Sequence, residues 1–113
     1  MKGIGIDIAA IGRFKKISKS DFQRWNKIFT RAEWQYAFLG KRSAERLAGI
    51  FAAKEAAIKA SAGIKKSFFS DWEITHRASG EPKLAFRGRK KSFRIFLSIS
   101  HDHDQAVAVV MIV

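Results

Sequence analysis

The chain has 113 residues, 47% of them hydrophobic and 28% charged, a balance that fits one globular domain and excludes a disordered chain. It contains no cysteine, which removes disulfide staples, thiolate zinc sites and cysteine nucleophiles and agrees with a cytoplasmic protein. Lys and Arg number 22 against 10 Asp and Glu, a net charge of +12. Such a field attracts polyanions: nucleic acid, an anionic membrane surface, an acidic protein or a phosphorylated small molecule. Asp7 breaks the opening MKGIGIDIAA too early for a signal-peptide core, and no apolar run reaches the length of a membrane span.

In chain order, GIGIDIA at 3–9 mixes β-branched residues with glycine and predicts a buried strand closely approached by other backbone. Ile11 to Ile28 reads as helical or partly helical, with Arg13 and Arg24 among the basic residues between its apolar positions. Ser20 or Asp21 is the expected cap of a second helix from about Phe22. Thr30 with Glu33 makes a capping-box pattern, so a helix should run from Arg31 to about Leu39 and stop at Gly40. Ser43 opens a longer helix, ending near Gly63, with Leu47, Ile50, Phe51, Lys54 and Ile58 on one face. Asp71 to Arg77 alternates as a strand, and Leu84 and Phe86 continue the pattern beyond the turn Ala78–Pro82. After a basic connection from Arg87 to Lys91, Phe93–Ser100 and Gln105–Val113 should form a hairpin. A strand, then helices, then several strands predicts an α+β fold in a single domain, 1–113.

FAAKEAAIKA at 51–60 sets Glu55 and Lys59 one helical turn apart on an alanine-rich surface. Such a pair stabilises an exposed helix by about 0.2–0.5 kcal/mol and ordinarily marks only a solvated face. Here the alanines leave room for something bulky to approach the charges. Asp7 interrupts a strand that otherwise reads as buried; alone, it reads as a strand-end cap. Two carboxylates from distant segments can hold a hard divalent cation, and magnesium takes only one or two of them, filling its shell with water and phosphate. Gly80-Glu81-Pro82 is a tight turn that can offer backbone to a flat base. In Ser98–Asp104 (SISHDHD) a hydroxyl and an imidazole at a strand end suit phosphate. The His-Asp alternation there is a poor metal cluster, because neighbours in a turn point apart.

Taken together and in order, GIGIDI at 3–8, the Thr-Arg-Ala-Glu segment at 30–33, FAAKEAAIKA at 51–60, Gly80-Glu81-Pro82 and SISHDHDQAVAVV at 98–110 resemble the holo-[acyl-carrier-protein] synthase family. These are the short-chain 4'-phosphopantetheinyl transferases. The resemblance implies a small α+β domain with an antiparallel sheet packed on helices, assembled as a homotrimer with active sites between neighbouring subunits. It implies transfer of the phosphopantetheine arm of coenzyme A to a serine of apo-acyl carrier protein, in fatty acid or polyketide synthesis, leaving adenosine 3',5'-bisphosphate. Asp7 and Glu55 would hold Mg2+, with Glu55 and Lys59 as the catalytic pair and Glu55 also a candidate for taking the serine proton. Lys59 and Lys54 would contact coenzyme phosphates, Gly80 and Pro82 the adenine, and Ser100 and His101 the nucleotide phosphates. Arg13 and Arg24 would meet the acidic carrier protein. The alanines would then let the pyrophosphate lie close to the helix. Ile50 stands where many relatives carry arginine, so that phosphate contact is lost or passes to Arg46. Ser61-Ala62-Gly63-Ile64 replaces the commoner Gly-Thr-Gly-Ile.

Two other readings compete. A nucleic-acid-binding module is suggested by the +12 charge and by Phe86, Arg87, Arg89, Phe93 and Arg94, although aromatics at strand spacing ordinarily form core. A family member that binds coenzyme A without catalysis rests on Ile50.

Overall fold

Strand β1 (Gly3–Ala10) lies directly on the long helix α3 (Ser43–Ser61), and glycine makes that approach possible. A Cβ on Gly3 would land on the carbonyl oxygen of Ala60, and one on Gly5 would land on that of Ala56 and 2.8 Å from the Ala60 nitrogen. The facing helix surface is correspondingly small: Ala52, Ala53, Ala56, Ala57 and Ala60 are all buried. The alanines therefore do not make room for a ligand, as the sequence suggested. They make room for the sheet.

The computed structural model describes residues 1–88 and 93–113; of the expected basic connection, Arg89–Lys91 lie outside the described residues. A three-stranded antiparallel sheet has the order β1-β5-β4, with β4 spanning Ile95–Asp102 and β5 Gln105–Ile112. Strands β2 (Trp72–His76) and β3 (Pro82–Phe86) pair as a separate hairpin, Trp72 opposite Phe86. The α+β reading holds. Helix α3 covers one sheet face and is buried around most of its circumference rather than along one stripe, Lys54 included.

Between β1 and α3 the chain is less helical than its spacing predicts. It forms 3-10 turns at Ile11–Phe14 and Lys19–Asp21, the short helix α1 (Phe22–Trp25), then α2 (Arg31–Ala37). Asp21 holds the N-cap position of α1, as expected, but its side chain makes no cap bond there: the carboxylate turns back and accepts the Ser18 N–H at 2.9 Å, closing the 3-10 turn that Ser18 caps. The capping box of α2 forms as expected. Thr30 Oγ1 accepts from Glu33 N at 3.1 Å, and Glu33 Oε1 accepts from Thr30 N at 2.8 Å.

Strand alternation gives the sheet two unlike faces. Gly5, Asp7, Ala9, Ala108 and Val110 look toward α3, while Ile4, Ile6, Ile8 and Phe96 stay more than half exposed on the outer face. A contiguous apolar patch of this kind marks an interaction surface.

Gly5→Ala is expected to destabilise the fold by about 1–3 kcal/mol or more through overpacking. Gly12→Ala, where a Cβ meets nothing within 4 Å, should change stability by less than about 0.5 kcal/mol. Urea denaturation of both variants checks the contrast.

Candidate functional site

Because Gly5 seats β1 on α3, Asp7, two residues on and on the same face, arrives beside the last two turns of the helix. Lys59 Nζ donates to Asp7 Oδ1 at 2.9 Å and to the Ile6 carbonyl at 3.0 Å. Glu55 completes the cluster, half-buried. Burial raises its pKa above the usual carboxylate value and the charge of Asp7 raises it further, with Lys59 and Arg13 opposing. The Lys59 ammonium is held above its ordinary value by the hydrogen bond to Asp7. Arg13 stacks over the Phe51 ring at 4.9 Å, on the same flank. Asp7, Glu55 and Lys59 are thus brought together from segments almost fifty residues apart.

Two carboxylates that repel each other at a half-buried site fit a hard cation, which needs only one or two of them. Among the described residues no third His, Asp or Glu joins them to form a protein-only cage, which leaves the remaining positions to water and phosphate.

Lys54 is elsewhere. It is fully buried, its Nζ 2.6 Å from Glu33 Oε1 and donating to the Ile28 carbonyl at 2.7 Å. The second Glu33 oxygen accepts from Ile74 N at 2.7 Å. Lys54 is therefore no phosphate ligand but half of a buried ion pair that ties α2, α3 and β2 together. Burial lowers its pKa and Glu33 pulls it back. The only sign in the sequence was a lysine on an apolar stripe; nothing in the spacing linked it to Glu33.

A second cluster lies around a cleft of about 220 Å³ whose walls include Gly80, Pro82, His101, Arg46, His76 and Ile50. Gly80 takes φ +94 to close the β2–β3 turn. His101 Nε2 sits 3.5 Å from Glu45 Oε2. Arg46, to which the resemblance allowed a phosphate contact to pass, lines this cleft, whereas Tyr36 and His76 are not site residues in the sequence reading, since no spacing relates them. Ser100 does not belong to this cleft: as the strand neighbour of His101 it points to the outer sheet face.

The two clusters do not meet within one chain. Arg46 and Glu55 are nine residues apart, about two and a half turns of a helix with about 3.6 residues per turn, and so leave α3 on opposite sides. Asp7 is on β1 and His101 on β4, with β5 between them.

The profile of the 4'-phosphopantetheinyl transferase superfamily matches residues 3–110. The chain belongs to this superfamily. It is 38% identical to a holo-[acyl-carrier-protein] synthase of Thermodesulfovibrio yellowstonii, covering 99% of this chain and 98% of that one. Its fold is similar to the holo-[acyl-carrier-protein] synthase of Helicobacter pylori solved with coenzyme A, with a TM-score of 0.81, 31% identity and 97% and 99% coverage. It is also similar to that of Bacillus anthracis solved with CoA (3',5'-ADP), with a TM-score of 0.76, 33% identity and 98% and 95% coverage.

For a phosphopantetheinyl transferase the nucleic-acid reading loses its motive. Phe86 and Phe93 pack on each other at 5.3 Å and on Trp72 at 5.0 and 6.3 Å, so these aromatics are spent on the hairpin core. Arg89 lies outside the described residues. Among the described residues no helix is long and apolar enough to cross a membrane.

Lys54→Met should lower stability by about 3–5 kcal/mol, the effect of leaving Glu33 buried without its partner. A phosphate ligand would instead leave the denaturation midpoint in place. Glu55→Gln should raise stability at neutral pH. A carboxyl whose folded pKa is raised binds protons more readily in the folded state, so the wild type loses stability as pH climbs through that window. The neutral amide escapes this loss, and thermal melts at pH 7 and at acid pH check the sign.

Proposed function

We propose that this chain is a cytoplasmic enzyme that transfers the 4'-phosphopantetheine arm of coenzyme A to a serine hydroxyl of apo-acyl carrier protein, releasing adenosine 3',5'-bisphosphate. The observation that carries the reading is the Asp7–Glu55–Lys59 cluster, in a chain whose relatives are holo-[acyl-carrier-protein] synthases.

In this reading Asp7 and Glu55 hold Mg2+. Bound there, the cation supplies Lewis-acid neutralisation of the pyrophosphate. Lys59 has three N–H donors and spends two, on Asp7 and Ile6, which leaves the third for a phosphate oxygen. Glu55, or a water beside it, is the group placed to accept the serine proton as the phosphoester forms. Holding the hydroxyl in line with the phosphorus supplies much of the rest of the acceleration. Arg13 on the same flank and the exposed Arg24 on α1 give the acidic carrier protein a basic rim beside the reacting centre.

The nucleotide half of the coenzyme is assigned to the second cluster, with Gly80 and Pro82 against the adenine and His101 near phosphate. Since the clusters leave opposite sides of α3, one copy supplies Asp7, Glu55 and Lys59 while its neighbour supplies the cleft. A homotrimer meets this need, and its assembly would bury the outer sheet face of Ile4, Ile6, Ile8 and Phe96. Ser100, which points to that face, then contributes to the interface region rather than to the cleft of its own chain.

Incubation with coenzyme A, Mg2+ and apo-acyl carrier protein should add the mass of phosphopantetheine to the carrier; no gain with several carriers would end the proposal. Chelation should stop the reaction, and Mg2+ should restore it. Asp7→Asn and His101→Asp chains should each be inactive alone and regain transfer when co-assembled, because mixed oligomers contain sites made of two intact halves. Co-assembly without recovery would refute the shared site while leaving the transferase activity standing.

A further inference from the structure

We infer that Glu33 is a positioning residue for the transfer reaction: through its buried pair with Lys54 it sets the rotation of α3 that holds Glu55 for the cation. The inference rests on the metal reading of the Asp7–Glu55 cluster and extends it to a residue outside that cluster, one that touches no reacting group.

The Glu33 carboxylate is pinned by backbone before Lys54 is counted. Oε1 accepts the Thr30 N–H at 2.8 Å, and Oε2 accepts the Ile74 N–H at 2.7 Å. Its own backbone N–H donates to Thr30 Oγ1 at 3.1 Å. Glu33 is thus tied at once to the first turn of α2 and to strand β2, and it is buried. Lys54 Nζ lies 2.6 Å from Oε1 and donates to the Ile28 carbonyl at 2.7 Å. The place of the ammonium is therefore defined by groups that all lie outside α3.

The C-terminal half of α3 needs such a fixed point. From position 52 onward its buried side chains, Lys54 apart, are Ala52, Ala53, Ala56, Ala57, Ala60 and Ser61. Methyl groups form low ridges, which interlock little with their neighbours and resist turning about the helix axis weakly. A helix with its side chains is about 10–12 Å across, so a turn of about 10° carries a carboxylate at its rim by about 1 Å. A misplacement of about 1 Å at a reacting centre costs on the order of 100-fold in rate. Lys54 precedes Glu55 in the chain, so the fixed point adjoins the residue it positions.

Stability alone does not call for ions here. A buried ion pair is often no more stabilising than an apolar pair of similar volume, and its best-attested use is to select one arrangement among several. Glu33 and Lys54 take no part in the chemistry and are nevertheless enclosed and fully hydrogen-bonded.

The test removes both charges together, in Glu33→Gln combined with Lys54→Met, so that neither is left buried alone. The urea midpoint of this double variant should lie closer to the wild type than that of Lys54→Met. Mn2+ binding, followed by electron paramagnetic resonance with coenzyme A present and carrier protein absent, should nevertheless weaken by about 10-fold. In steady-state transfer kcat should fall on the order of 100-fold, with KM for the carrier protein unchanged. A purely structural pair would move the midpoint alone, so wild-type Mn2+ affinity in the folded double variant overturns the inference. Glu33→Asp provides a second arm that does not depend on the double variant folding. It keeps both charges but draws the carboxylate back by one methylene, so α3 must turn to keep the pair or else lose it. Mn2+ affinity should again fall by about 10-fold, and an unchanged affinity overturns the inference. Unchanged affinity in these variants sinks this inference alone; a wild type that binds no more Mn2+ than Asp7→Asn does sinks the metal reading of the cluster, and this inference with it.

Discussion

The fold turns on one close approach, that of β1 to α3. Peptide backbone meets peptide backbone there because Gly3 and Gly5 have no side chain and Ala56 and Ala60 have almost none. Two consequences follow. The strand is held so near the helix that its register admits almost no slippage, since a one-residue shift would drive Ile4 or Ile6 into the Ala56 and Ala60 carbonyls. The same register then sets Asp7 against Lys59 and near Glu55, so a packing constraint becomes the device that assembles two carboxylates.

A second constraint holds α3 from the other side. Glu33 closes the N-terminus of its own helix through Thr30, receives Lys54 from α3 and accepts the Ile74 N–H from β2. Every polar atom of that pair finds a partner, as burial demands. Lys54 immediately precedes Glu55, so the ion pair fixes the rotation of α3 that presents Glu55 about 100° further round the helix. Buried charge on one side and glycine contact on the other clamp the helix between them.

A helix clamped in this way carries a candidate cluster on each of two flanks. Its β1 flank carries the acidic cluster, and its β4 flank carries Arg46 and the cleft with Gly80, Pro82 and His101. In the proposed function, self-assembly would bury the apolar outer sheet face and bring the two clusters together. The charge of +12 answers a reaction whose partners are an anionic coenzyme and an acidic carrier.

Much of this was legible without coordinates. Glycine alternating with isoleucine announced a strand under close backbone approach, the Thr30–Glu33 box announced α2, and the alternation of 93–113 announced the hairpin. Each is a local signal, written within a few residues by backbone freedom, capping or periodicity. The family pattern added Asp7 and Glu55 as partners, and Lys59 lies with them. What failed was what depends on residues far apart in the chain. The alanines of 51–60 were read as space for a ligand, because no local pattern says which neighbour fills a gap. Lys54 was read as a phosphate contact, because its partner Glu33 is 21 positions away. Ser100 and His101 were read as one phosphate site, although the pleat turns them to opposite faces. Sequence alone determined most of the elements, the fold class and the acidic pair; tertiary structure decided which charges are buried and which flank of α3 each candidate residue occupies. Local preferences act through a few neighbouring bonds, whereas burial and facing are properties of the packed whole.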